Sequence, residues 1–395
     1  MSDFLFHSQK QKDNKLSNLI KSIYSYNSPK VFEFHGKWGS LAVSRNTYFG
    51  FDPLETEDHI YFVIGGPVLT FTENKFLSGS DHQKGTKIIV EKFIQNDIIW
   101  HNDLSGPFVF GALDKKKGRL QIISDILSFI PVFKFESNNE LTLSTHPDIL
   151  TQVTEKNEKK DKTSIADFII NGIVTFPYTF YKSIRQIRPA SIYTFSLLNN
   201  KIKNKNKYYW KPEDKKQRKN INRTAEELRN NLRKYITLVI DSMDEVASFI
   251  SGGEDSRTVL ALMPNNIKKD SFIFLDEMNR EGQFAKKAAE TYGADFNLIQ
   301  RDKFHYIKIM EKASNLVGSG SEYVHAHSYD IYNKGNLDKY PAVFGGFFSD
   351  TFLKGLNIKK INYTGKLPFI PEIKDSNYNE IYKNSDNKIL EKQII

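Results

Sequence analysis

Along the first half of the chain apolar residues come in short alternating runs, each closed by turn-forming residues. Val31–His35, Gly39–Ser44, His59–Ile64, Gly106–Leu113 and Leu120–Ser124 are predicted strands of this kind. Asn46, Asp52-Pro53, Gly65-Gly66-Pro67 and the Asp114–Gly118 turn separate them, which implies a meander. Ile88–Gln95 has helical spacing, and residues 8–30 are polar and at most helical. The second half changes period. Leu228, Leu232, Ile236 and Val239 put an amphipathic helix over Thr224–Met243. Three strand-then-helix repeats follow, with strands at Glu245–Ile250, Ser271–Leu275 and Asp295–Ile299 and helices at Arg257–Met263 and Glu281–Thr291. Such repeats predict a doubly wound parallel sheet, whose ligands sit at the carboxyl ends of the strands.

The first of those strands runs into Ser251-Gly252-Gly253-Glu254-Asp255-Ser256. Two glycines that can take positive φ would let backbone N–H groups converge on an anion, and Ser251, Ser256 and the new helix's N-terminus add donors. A pyrophosphate suits such a loop. Asp255 repels a phosphate by charge, but it fits if a Mg²⁺ bridges carboxylate and phosphate oxygens. The string matches neither the G-x-x-x-x-G-K-[ST] loop nor the G-x-G-x-x-G dinucleotide pattern.

Composition narrows the classes. With 395 residues, 39% hydrophobic and 13% aromatic, the chain can build about two or three ordinary cores. It contains no cysteine, which removes disulfides, thiolate metal sites and a thiol nucleophile together. No segment has the roughly 18 uncharged apolar residues of a membrane span, and Met1–Lys10 lacks the basic-then-apolar order of a leader, so a cytoplasmic protein is expected. The net charge of +9 is concentrated at 156–162, 201–207 and 211–219. Acids are interleaved and these runs fall between elements, so they read as solvated turns and not as a nucleic-acid surface.

The S-G-G-x-D-S loop after a buried strand resembles the pyrophosphatase loop of the asparagine synthetase family, which includes β-lactam synthetases and lasso-peptide cyclases. Further motifs agree. Gly106, Phe108, Phe110 and Asp114 are similar to that family's glutaminase hairpin, and Ser124-Asp125 with Pro131-Val132 to its next element. Asn171-Gly172, Pro177, Thr179 and Ile187-Arg188-Pro189 fall where the family has a further shared segment. Gly345-Gly346-Phe347-Phe348-Ser349-Asp350, after the short strand Pro341–Phe344, resembles the second ATP signature. The resemblance covers roughly residues 31–355.

What the resemblance implies is an N-terminal nucleophile-type sandwich over 1–200, a basic linker at 201–222, and an ATP-pyrophosphatase domain from 223 onward. ATP would be held by Ser251, Gly252, Gly253, Asp255, Ser256, Gly345 and Gly346, with Ile250 and Phe274 beside the adenine, although core packing explains those two as well. Asp255 and Asp350 would ligate Mg²⁺ together with pyrophosphate oxygens. The expected chemistry is adenylation of a carboxylate on a small molecule or peptide, followed by displacement of AMP by an amine. The alternative is a nucleotide-binding, inactive relative that serves as a partner or regulatory subunit.

Several departures shape these expectations. The family's glutaminase nucleophile is an N-terminal Cys; here Ser2 follows Met1, and Ile64-Gly65-Gly66 lacks the family's Asn, so glutamine hydrolysis is not expected. Phe347 stands where the family has a proton-accepting residue, Phe348 where it has a glycine, and Glu254 and Arg257 occupy positions more often apolar and Ser or Thr. Lys354, Lys359 and Lys360 are the nearby cations, and none is singled out as the family's amide-forming Lys. Because 357–382 is rich in Asn, Lys and Pro, a closing helical wall would come from a second chain. His325 and His327 read as surface residues in the absence of a third ligand, and Glu322 is the weaker acidic candidate.

Overall fold

A computed structural model describes residues 2–24, 28–137, 139–154, 159–197, 202–213, 220–322 and 328–346, together with the backbone of two strands at Ile358–Ile361 and Ile370–Ile373. It divides into two compact units, Met1–Gln217 with Lys308–Ala326, and Arg218–Ile307 with His327–Ile395.

The first unit is built on two six-stranded antiparallel sheets. One takes its strands in the order Ile184–Gln186, Phe133–Glu136, Leu141–Ser144, Phe4–His7, Gly39–Ser44, Val31–Gly36. The other runs Lys203–Tyr208, Ser191–Ser196, Arg119–Ser124, Phe108–Asp114, His59–Gly65, Leu54–Glu55. Strand alternation decides which residues meet between them. Phe4, Phe6, Leu41 and Val43 of the first sheet share one core with Ile60, Phe62, Leu113, Ile122 and Phe195 of the second. Leu5 and Ala42 face the other way and pack against Leu16, Ile20 and Ile23 of helix Lys15–Ile23 and Ile149 and Val153 of helix Pro147–Val153. On the outside of the second sheet lies helix Lys84–Ile94, whose Phe93 ring sits 5.1 Å from Phe110. Two face-to-face antiparallel sheets flanked by helices form the sandwich that the strand pattern and resemblance lead one to expect.

Two details differ from the sequence reading. Phe4–His7 is a central strand of the first sheet, paired on both sides, although four residues are too few to display a period. The run read as a solvated basic linker contains an edge strand, Lys203–Tyr208, paired with Ser191–Ser196 along six positions. All six of its residues are exposed, so no apolar alternation was there to reveal it.

The second unit holds a four-stranded, wholly parallel sheet in the order Asp295–Gln300, Lys268–Leu275, Glu245–Phe249, Val343–Phe344. Val246 and Ala247 are fully buried, as expected of a strand covered on both faces. Helices Ile221–Ile240, Glu254–Leu262 and Arg280–Thr291 precede or connect the strands. The strand order reverses at Glu245–Phe249: the chain moves outward on one side and returns on the other with Val343–Phe344. Such a reversal opens a crevice at the carboxyl ends of the two adjoining strands.

Candidate active site

The loop Ser251–Ser256 lies at that crevice. Ile250 is buried and its N–H donates to Phe272 O at 2.9 Å, fixing where the loop leaves the sheet. Ser256, also buried, closes the loop from the helix side. The Ser251 N–H donates to Ser256 Oγ at 2.9 Å, the two hydroxyls share a hydrogen bond of 2.9 Å, and the Gly253 N–H donates to Ser251 Oγ at 3.1 Å. Both serine hydroxyls thus shape the loop.

The expectation that Gly252 and Gly253 take positive φ is not met. Gly253 is extended, at φ −75° and ψ 161°, and neither belongs to the positive-φ glycines. Their contribution is room: a Cβ at Gly252 would lie 3.2 Å from Glu281 Cγ, and one at Gly253 3.2 Å from Ser251 Oγ.

Gly253 caps helix Glu254–Leu262 and, lacking a side chain, gives its first N–H groups no acceptor. The neighbouring helices are capped differently. Asn220 accepts from Asn222 and Arg223, and Asn279 from Gly282. An anion at the Gly253 end would meet the positive end of the helix dipole, at a helix start that no side chain caps. Glu254 and Asp255 in the first turn offset part of that dipole. Arg257 turns back, donating from Nε to Gly253 O at 2.9 Å.

Val343–Phe344 pairs in parallel with Ala247 and Ser248, so Gly345 and Gly346 emerge beside the loop. A Cβ at Gly346 would lie 2.7 Å from Ser256 N and 2.9 Å from Asp255 C and Cβ, so the chain passes flat against the start of the helix, where no larger residue fits. At Gly345 a Cβ would meet Phe249 Cδ2 at 3.8 Å, an ordinary contact. The structure therefore brings Ile250, Ser251, Gly252, Gly253, Asp255, Ser256, Gly345 and Gly346 together. Asp350, Phe347, Phe348, His325, His327 and Lys354 lie outside the described residues, as do the side chains of Lys359 and Lys360. Among the described residues no group of three or more His, Asp or Glu is arranged to hold a metal.

Phe274 is the penultimate residue of the neighbouring strand, in register with Ile299. It is half-buried, with the His305 ring 5.1 Å away edge-on, Arg301 Cζ at 5.7 Å and Lys334 Nζ at 5.8 Å. Sequence spacing gave no sign of this cationic and aromatic surround. Arg301 is tied to Asp276 at 2.7 Å, and that bond lowers the Asp276 carboxyl below its ordinary range. Glu322 belongs to the first unit, where a Cβ at Gly172 would lie 3.1 Å from its Oε1.

In the first unit, Ser2 is buried and its Oγ accepts the Gly65 N–H at 3.2 Å. Asn46 secures the Gly65 turn, donating from Nδ2 to Val63 O at 3.1 Å and Gly65 O at 2.6 Å. Among the described residues no carboxylate or imidazole is hydrogen-bonded to Ser2 Oγ. The Tyr48 ring lies over Gly66, within 2.4 Å of where a Cβ would stand.

Residues 66–210 match the glutamine amidotransferase domain family. The chain is 26% identical over 216 residues to putative asparagine synthetase [glutamine-hydrolyzing] 2 of Methanocaldococcus jannaschii, covering 54% of this chain and 41% of that protein. It is 27% identical over 226 residues to asparagine synthetase [glutamine-hydrolyzing] 3 of Bacillus subtilis, covering 53% and 35%. The chain is thus related to the asparagine synthetases through a match over about half of its length, and that match spans well under half of either relative. Among solved structures, glutamine phosphoribosylpyrophosphate amidotransferase from B. subtilis complexed with ADP and GMP aligns over 94% of this chain and 98% of that one, with 10% identity and a TM-score of 0.33, too low to carry an argument. No helix among the described residues is long and apolar enough to cross a membrane.

Proposed function

We propose that the protein is an ATP-dependent carbon–nitrogen ligase that adenylates a carboxylate and does not hydrolyse glutamine. The observation that carries this reading is the close approach of Gly346 to the backbone of Asp255 and Ser256, beside a helix end that has no side-chain cap. Two closely approaching backbone segments beside a helix N-terminus at a strand-order reversal suit the phosphates of a nucleotide. Ser251 and Ser256 hold the loop open, and Ile250 and Phe274 supply apolar surface for a base. Mg²⁺, held by Asp255 and Asp350, would neutralise pyrophosphate charge. A substrate carboxylate oxygen would bond to the α-phosphorus as the bond to pyrophosphate breaks. An amine would then attack the acyl carbon, with AMP leaving and the amine proton passing to solvent or a base.

Support for the absence of glutamine hydrolysis comes from the chain's own residues. There is no cysteine, and a serine hydroxyl is a far weaker nucleophile than a thiolate unless a base activates it. The amine is then part of the substrate. The test is release of AMP and pyrophosphate from Mg-ATP with amino acids and peptides. Formation of ADP and phosphate would refute the reading.

A second reading rests on Phe347, which cannot accept a proton at a position where the family does, and on Arg257, which is fixed to Gly253 O. In it the protein binds nucleotide without turnover and regulates a partner. Nucleotide binding without AMP formation under any substrate tested would favour it.

A further inference from the structure

Among the described residues of the first unit, the outer face of the second sheet is only half covered. Its register places Tyr61, Ala112, Gln121, Thr194 and Lys205 on one rung and His59, Asp114, Arg119, Ser196 and Lys203 on the next. Alternation points both rungs away from the core residues Ile60, Phe62, Leu113 and Phe195. Phe93 and Trp100 cover the strands His59–Gly65 and Phe108–Asp114, with rings 6.3 Å from Tyr61 and 5.2 Å from Phe110 respectively. Beyond them a cavity of about 1220 Å³ opens over the remaining strands. The outer face of the first sheet, by contrast, packs against two helices.

The walls of this cavity differ in chemistry. One is aliphatic and includes Ile94 and Ile99, which are 62% and 50% exposed. The sheet side of the lining carries Arg119, Lys205 and Lys207, and none of the three makes an ion pair among the described residues. Asp114, which lies between His59 and Arg119 on its rung, already accepts the Lys117 N–H at 2.8 Å and faces His59 at 3.8 Å. Apolar surface left in water beside unpaired cations marks a surface that meets a partner. A helix is about 10–12 Å across with side chains and rises 1.5 Å per residue, so the cavity takes on the order of three turns. An added strand is disfavoured by the lysines spaced along the Lys203–Tyr208 edge. Single-stranded nucleic acid would call for a series of open aromatic platforms; the exposed aromatic of this lining is Tyr208, with Lys211 Nζ 4.8 Å from its ring centroid, and the other exposed apolar side chains are Ile94 and Ile99.

We infer that this groove docks an acidic amphipathic helix of a partner protein. The helix's apolar face lies on Ile94 and Ile99, and its acidic flank runs along Arg119, Lys205 and Lys207. This site is independent of the nucleotide loop and stands or falls separately from it.

The test uses the full chain as bait for a displayed library of helical peptides about four turns long, with a labelled oligothymidine as competitor. Peptides with apolar residues at i, i+3 or i+4 and i+7 and Asp or Glu alongside should be enriched. Their affinity should fall about tenfold or more in the Arg119→Glu/Lys205→Glu double variant and with rising salt. The Ile94→Asp/Ile99→Asp variant should lose binding too. All four side chains are exposed, so circular dichroism should confirm unchanged folding. No enrichment, enrichment of peptides without acids, binding indifferent to both variants, or preference for the oligothymidine would each overturn the inference.

Discussion

Replacing Gly346 by alanine probes the crevice with one methyl group. Its Cβ would stand 2.7 Å from Ser256 N and 2.9 Å from Asp255 C and Cβ, and those atoms belong to backbone or to the first turn of a helix, so they cannot swing aside. Overpacking of this kind costs about 1–3 kcal/mol. If the start of the helix yields to relieve the clash, the donors it offers move by a few tenths of an ångström. At about 1.4 kcal/mol per tenfold, Mg-ATP affinity should then fall by roughly 5- to 150-fold. If the helix holds, the cost appears in stability instead, as a Tm lower by about 2–4 °C per kcal/mol for a domain of this size. Gly345→Ala is the control for packing. Its Cβ meets Phe249 Cδ2 at 3.8 Å, so Tm should not change. Titration calorimetry and a thermal scan on the two variants decide the matter. A Gly346→Ala protein with wild-type ATP affinity and wild-type Tm would refute the close approach on which the site rests.

Ser256→Ala removes the acceptor of the Ser251 N–H and should destabilise the second unit by about 1–3 kcal/mol in urea titrations. Asp255→Asn should weaken Mg-ATP binding far more than metal-free AMP binding, and an equal loss of both would dismiss the metal role. Burial alone would raise the Asp148 carboxyl, but bonds from Ser319 and Tyr181 hold it below its ordinary value. Its contribution to stability is therefore full above the unfolded pKa near 3.9 and is lost as pH falls through the lower folded value. Asp148→Asn should flatten that part of the acid-denaturation curve, and an unaltered acid slope would contradict the assignment. The purified protein should release no ammonia from glutamine, with Ser2→Ala making no difference; ammonia release that vanishes in the variant would reverse this reading.

Periodicity found the elements that bury one face or both. Val246 and Ala247, Phe62 and Ile64, and Val109 and Leu113 announced their strands because each packs into a core. It failed where burial does not decide. Lys203–Tyr208 is a strand by pairing alone, with every side chain in solvent, and Phe4–His7 is too short to show a period although it is buried along its whole length. The loop was legible because its residue types are constrained by geometry, yet the constraint was misjudged. The glycines were expected for positive φ, whereas Gly252 and Gly253 serve clearance and Gly346 a close approach to the first turn of a helix far away in sequence. The surround of Phe274 arises from two segments, one carrying Arg301 and His305 and the other Lys334, both away from Phe274 in sequence, so no local spacing could have announced it.

In the proposed reaction ATP is split between the α and β phosphates to activate a carboxylate. Exchange of labelled pyrophosphate into ATP, measured with Mg²⁺ and a panel of amino acids and peptides, tests that step without requiring the amine. Carboxylate-dependent exchange that is lost in Asp255→Asn is the expected result. No exchange with any carboxylate, or ATP consumption that yields ADP, would contradict it.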